Sequence, residues 1–300
     1  MHRPSDQGSS GRFHYSLFGL NVRSDLSLPE LRLLDPMDDV DVWISVASDA
    51  EEHAGTLLAI GDVAHFYVDG GSRIIVVPDP GVPDRNVRLF LLGSAMGILL
   101  HQRALLPLHA NSVEIDGKAV AFMGASGAGK STLAAAFHDA GVQVITDDVC
   151  VVRFDEGGAP GVSPGLPRLR LWKDALDATG RVAEQFQRSY AGDDSYEKYD
   201  VPVGAEGASL ELIAAYLLQP ADEFAIVQLT GIDAVEAVFA NTYRGGYIPE
   251  TGNFQIHWED CLRLVGRVPI FALNIPRDHA RLPEMIGRIL THVRSAPLDS

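Results

Sequence analysis

The period of hydrophobic and polar positions changes along the chain. From 13 to 78 the apolar residues come in short β-branched or aromatic runs bounded by turn residues: FHYSLFGLNVRS (13–24), DVDVWISV (39–46), AHFYVDG (64–70) and SRIIVVPD (72–79). Such runs predict strands, with LPEL (28–31) as a loop or short helix between them. PDPGVP (78–83) is a proline/glycine break and the expected domain boundary. After it the apolar spacing turns helical, from a cap candidate at Asp84 to near Arg103.

The second half alternates strand and helix signals. Two apolar runs flank Asp116-Gly117, a dipeptide that marks a hairpin. KAVAFM (118–123) predicts a strand, and KSTLAAAFHDA (130–140) a helix closed by Gly141 at the C′ position. VQVITDD (142–148) and VCVVRF (149–154) predict two more strands, GGAPGVSPGLP (157–167) a loop, RLRLW (168–172) a strand and DALDATG (174–180) a short helix. The polar, aromatic stretch 187–200 reads as a mobile loop. Strands follow at 210–219 and 224–230, a helix at 231–245, a strand at 268–276 and a closing amphipathic helix at 280–295. The expected architecture is α/β: a smaller β-rich N-terminal domain, 1–83, before a larger α/β domain, 84–300.

Composition narrows the classes. The 300 residues carry a formal net charge of −16 with no Lys/Arg run, which disfavours nucleic acid as a partner. Cys150 and Cys261 sit alone in apolar contexts and read as buried free thiols, not as a zinc site or disulfide framework. The start lacks an apolar signal core, and the longest apolar stretch, Leu89 to Leu100, is too short to span a bilayer, so a cytoplasmic protein is expected.

The chemistry concentrates between Gly124 and Asp148. Gly124, Ala125, Ser126, Gly127, Ala128, Gly129, Lys130 and Ser131, followed by Thr132, match GxxxxGK[ST] between a predicted strand and a predicted helix. In that setting backbone N–H groups cradle a polyphosphate, the lysine reaches its β/γ end and the hydroxyl faces Mg²⁺. Asp147 and Asp148 follow one helix and one strand later. Side chains alternate along a strand, so one acid can serve a metal while the other faces an acceptor hydroxyl. His109, before the hairpin, is a weaker candidate. Lys198 and Tyr199 read mainly as solvated surface. Arg168, Arg170 and Arg244 are candidate cations for the charge that builds on transferring oxygens.

His109, the stretch Gly124 to Ser131, and the pair Asp147-Asp148 resemble, in order and spacing, the kinase domain of the HPr serine kinase/phosphorylase family. The resemblance covers about 105–155. It implies a P-loop HPr-kinase-like C-terminal domain that binds ATP and Mg²⁺. By position, Asp147 would be the base, helped by His109; Lys130 would bind the donor phosphate; Ser131 and Asp148 would bind metal, with the split between the two acids open. Related HPr kinases form hexamers, so the resemblance allows a homo-oligomer. Lys130-Ser131-Thr132 departs from the family's Lys-Ser-Glu, and a Leu-Glu-x-Arg-Gly signature is absent, which disfavours the reverse reaction. The opening YSLFGLNVRSDLSLPEL (15–31) resembles the shorter kinases of lasso-peptide biosynthesis. These phosphorylate a precursor peptide on its C-terminal serine, which makes such a peptide the expected partner. Other readings are an HPr-type protein kinase, an ATPase or switch without peptide acceptor, a non-enzymatic ATP-binding regulator, and a small-molecule kinase or carboxykinase relative. No LSGGQ-like segment or NKxD motif supports the transporter-ATPase or Ras-like classes.

Overall fold

The computed structural model describes residues 13–48, 53–204 and 207–295. The chain is a mixed α/β protein. The apolar runs of its first part form β1 (Phe13–Leu17), β2 (Leu20–Ser24), β3 (Val42–Val46), β5 (Ala64–Asp69) and β6 (Arg73–Pro78), and β4 (Thr56–Ile60) forms where no strand was expected. They make one six-stranded sheet in the order β1-β2-β3-β6-β5-β4. β2 with β3 and β3 with β6 run parallel, and the other neighbours are hairpins.

Next come α1 (Asp84–Phe90), a π-helical turn at Leu91–Ala95, and α2 (Met96–Gln102). Pro83 holds the N-cap position without a side-chain cap bond, so Asp84 lies in the first turn and is not the cap. This helical stretch is apolar almost all round, as a helix buried on several sides must be. Leu91, Leu92, Met96, Leu99 and Leu100 pack into one cluster with Tyr15, Val22, Phe66 and Val76 of the first sheet. The cluster also takes Val149, Val151 and Tyr243 from later in the chain.

The remaining strands are β7 (Leu106–Leu108), β8 (Ala110–Ile115), β9 (Lys118–Met123), β10 (Val144–Thr146), β11 (Cys150–Phe154), β12 (Pro160–Val162), β13 (Arg168–Trp172), β14 (Gln187–Arg188), β15 (Lys198–Pro202), β16 (Leu210–Pro220), β17 (Ala225–Leu229) and β18 (Ile270–Ile275). The helices among them are α3 (Lys130–Asp139), α4 (Lys173–Ala178), α5 (Gly231–Ala240), α6 (Ile248–Thr251), α7 (Phe254–Val265) and α8 (Leu282–Ser295). A nine-stranded sheet runs β10-β8-β9-β16-β12-β11-β7, with β18 on the far end of β16 and β17 outside it. Its centre is parallel: β16 pairs with both β9 and β18, with a register shift against β9 between Leu212 and Ala214. α3 and α8 cover one face through Leu133, Phe137, Met285 and Ile289. α5 and α7 cover the other through Val238, Cys261 and Leu264.

Asp116 and Gly117 both have positive φ, 51° and 79°, as the expected two-residue hairpin turn requires. Gly141 (φ 81°) follows the α3 cap as expected. Four expectations need correction. The stretch 187–200 is not one loop: both ends are strands of a small sheet, β13-β15-β14, and only its middle is irregular. Strand β12 forms inside the expected loop 157–167. The helix expected over 231–245 stops at Ala240, because Asn241 leaves helical geometry and Arg244 turns left-handed. α6 and α7 fill a region to which the apolar pattern assigned no element. Among the described residues no helix is long and apolar enough to cross a membrane. Cys150 and Cys261 are buried and free, as expected.

Candidate active site

β9 runs into the glycine loop at the C-terminal edge of the parallel strands, and α3 leaves it at Lys130. Gly124, Gly127 and Gly129 all have positive φ (153°, 79° and 96°), which lets successive N–H groups turn toward one side. At Gly124 a Cβ would also stand 3.2 Å from the Leu218 carbonyl oxygen of β16, so the loop lies flat on the neighbouring strand. Asn111 of β8 donates through Nδ2 to the Lys130 carbonyl, tying the helix start to the hairpin.

Lys130 is buried, 7% exposed, and folds back into the loop. Its Nζ donates to the carbonyls of Gly124 (2.6 Å) and Ala125 (3.1 Å). Burial lowers its pKa to about 8, against the upward pull of Asp148 and Asp147. Ser131 Oγ donates to both carboxylate oxygens of Asp147, at 3.0 and 3.3 Å.

The two acids occupy different environments. Asp147 is 5% exposed and also accepts the Arg170 backbone N–H at 2.8 Å. Burial, and then the neighbouring Asp148 charge, raise its pKa. Asp148 has φ 70°, a left-handed conformation uncommon for a residue with a Cβ. That conformation turns its side chain away from Asp147 and toward a cavity. There Arg170 Nη2 donates to Asp148 Oδ2 at 2.5 Å, and His109 Nδ1 stands 3.5 Å from Oδ1. Burial pushes the Asp148 carboxyl upward, but Arg170, then His109, Lys198 and Lys130 outweigh it, and its pKa falls. His109 donates Nδ1–H to the Asp148 backbone oxygen at 3.1 Å, and burial, then Lys130, hold the ring toward the neutral form. The acid beside Ser131 is therefore Asp147, and the acid facing open space is Asp148.

The cavity has a volume of about 890 Å³. Gly124 to Ser126, His109, Asp148 and Arg170 form its floor. Trp172, Tyr190, Tyr196 and Tyr243 bring aromatic walls, and Ile60, Gly61 and Val63 of the first sheet close one side. Lys198 and Arg244 line it with Arg170, and Asp148 and Asp193 are its two acids, so cations outnumber carboxylates in the lining of a chain of strongly negative net charge.

Several sequence readings meet here. His109, the loop and both acids are brought together, and Arg170 and Arg244 join them. Arg168 does not line the cavity: it shares a face of β13 with Arg170 and lies near both acids, but it pairs with Asp200 at 2.6 Å. Lys198 and Tyr199 are not solvated surface. Lys198 lines the cavity 5.5 Å from the Trp172 ring centre, and Tyr199 is buried against the main core. Strand alternation explains the pair: β15 turns Lys198 to the site and Tyr199 to the core. Tyr243 and Tyr196 had no sequence signal of their own. One clue for Tyr243 was available in Gly97, where a Cβ would stand 2.9 Å from the Tyr243 ring; a small residue in an apolar helix leaves room for a partner.

No protein-family model matches the chain, and no curated protein matches it. Among solved structures it is similar to the HPr(Ser) kinase/phosphatase from Coxiella burnetii, with 16% identity over 63% of this chain and 90% of that one, at a TM-score of 0.35. A likeness at that level transfers neither activity nor residue roles, and the functional reading rests on the geometry of this chain.

Proposed function

We propose that the protein is an ATP-dependent kinase that phosphorylates a serine hydroxyl on a peptide, the C-terminal serine of a lasso-type precursor being the favoured acceptor. The observation that carries this reading is the arrangement around the glycine loop. Lys130 lies inside it and Ser131 with Asp147 beside its helix end, while Asp148 faces the aromatic cavity.

The residues fit a nucleotide with Mg²⁺. The Lys130 ammonium now bonded to loop carbonyls is the donor a polyphosphate would take over, and a hydroxyl beside a carboxylate is an oxygen donor set suited to Mg²⁺. Bound there, the metal would neutralise charge on the donor phosphates. In this reading the division of roles that the resemblance implies is reversed. Asp147, hydrogen-bonded to Ser131, takes the metal side. Asp148 takes the proton from the serine hydroxyl as that oxygen bonds to the γ-phosphorus and the β–γ bridging bond breaks, releasing ADP. Asp148 is held ionised by Arg170, and a loose phosphoryl-transfer transition state asks for little basicity. His109 positions Asp148 through the backbone contact. Arg170, Lys198 and Arg244 supply positive charge around the transferring group.

The cavity supports a peptide acceptor, since its volume exceeds what one side chain fills and its walls are aromatic. The division into 1–83 and 84–300 belongs to this reading. The β-rich unit would contribute an acceptor wall through Ile60 and Val63, and the second unit would hold the chemistry. Incubation of the protein with ATP, Mg²⁺ and a serine-ended peptide, read by mass spectrometry, tests the proposal. A gain of one phosphate is expected, and its absence with HPr phosphorylated instead would shift the acceptor to a folded protein.

A further inference from the structure

A second, smaller cavity lies across the glycine loop from the large one. Its volume is about 250 Å³. The large cavity touches residues 124–126 of the loop, whereas the small one touches residues 127–129 and the start of α3 at Thr132. The loop is thus a wall shared by two chambers.

The small chamber is built differently from the large one. Its inner surface is apolar: Ile275 at the end of β18, Pro276 after it, and Leu282 and Met285 from the first turns of α8. Asp174, Arg277 and His279 are its exposed charged or titratable lining residues. No carboxylate pair or aromatic wall repeats the chemistry of the large chamber. The chamber sits outside the carboxyl ends of parallel β16 and β18, where open α/β sheets place ligands. Its volume is below the range of roughly 300–1,000 Å³ usual for whole small-molecule sites, so it suits a planar ring and not a peptide.

We infer that this chamber is the nucleobase site, taking the purine of the nucleotide against Ile275 and Pro276 with Arg277 and His279 at the base edge. The inference rests on the reading of the glycine loop as the polyphosphate site. A nucleotide whose phosphates lie on that loop has two ways to extend. The acceptor side is lined by Asp148 and the aromatic walls. The other side is this apolar slot, directly continuous with Thr132. The phosphates would then straddle the loop, with the terminal phosphoryl at the large chamber and the base in the small one.

The test compares MgATP with magnesium tripolyphosphate, which carries the phosphates and no base. Affinities for both are measured by calorimetry on the wild type, Ile275→Ala, and the exposed double variant Arg277→Ala/His279→Ala, whose rim positions carry no core packing. The wild type is expected to bind ATP at least tenfold more tightly than tripolyphosphate. Each variant is expected to lose threefold or more of its ATP affinity while its tripolyphosphate affinity stays within twofold of wild type. Unchanged ATP affinity in the folded variants would overturn the assignment and leave the loop reading standing. Equal losses for both ligands would also overturn it, because the effect would then pass through the loop. A wild type that binds neither ligand would remove the loop reading, and this inference with it.

Discussion

Raising the pH from 7 to 9 is expected to weaken MgATP binding about tenfold, through one side chain. Lys130 is enclosed by the glycine loop, and burial lowers its pKa to about 8. A group of that pKa is about nine-tenths charged at pH 7 and about one-tenth charged at pH 9. Polyphosphate binds the charged form, so the share of protein ready to bind falls by that ratio, about 1.4 kcal/mol. Arg170 holds Asp148 ionised and burial holds His109 toward neutrality, so neither contributes a slope across this interval. The assay is isothermal titration of MgATP at pH 7, 8 and 9 in matched ionic strength, with Lys130→Arg and Lys130→Met alongside. The arginine variant is charged at every pH and should be flat. The methionine variant should be weak and flat. Wild-type affinity that stays constant from pH 7 to 9 would refute the reasoning, because it would mean that the lysine charge does not meet the phosphates.

Asp148→Asn should lower kcat by about 10²–10⁴-fold, the range for a positioned general base, with ATP affinity unchanged; a variant with more than a tenth of wild-type turnover would remove Asp148 from that role. Asp147→Asn should abolish the Mg²⁺ enhancement of nucleotide binding, seen by titrating ATP with and without the metal. The same variant should melt at a higher temperature than wild type at neutral pH. The folded protein raises the Asp147 pKa through burial and Asp148, so the ionised form costs stability above that pKa. The gain should fade as the pH falls through the raised value toward the ordinary carboxylate range, and a melting temperature that drops at pH 7 would contradict it. Cys150 and Cys261, whose burial pushes both thiols up to about 12, should react with a thiol reagent only after denaturant is added; labelling of the native protein would show that one of them is accessible.

Much of the central architecture was legible in the sequence because local signals and tertiary demands agree there. The Asp116-Gly117 turn, the apolar run of β9, the glycine loop and the α3 cap each carry their own chemistry. Long-range pairings left no such mark. Nothing in the N-terminal runs told that β2, β3 and β6 lie parallel, since crossover order is not written in alternation. The strand character of Lys198 to Pro202 was hidden by its charged and aromatic composition, which reflects one face on a polar cavity and one on the core. α7 was missed because its exposed face carries Phe254, Ile256 and Leu262, which blur a helical period. The different surroundings of the two acids turn on the left-handed φ at Asp148, a backbone state that an Asp-Asp dipeptide does not announce. Arg170 was one of several candidate cations until β13 placed it against Asp148.

The central claim is phosphoryl transfer to a serine held in the aromatic cavity. Mass spectrometry of a lasso-type precursor peptide ending in serine, incubated with the protein, ATP and Mg²⁺, tests it most directly, with HPr in parallel and Asp148→Asn as the control. One phosphate on the terminal serine, lost in the variant, is the expected result. An unmodified peptide and unmodified HPr, with ATP still hydrolysed at the same rate in wild type and variant, would contradict it.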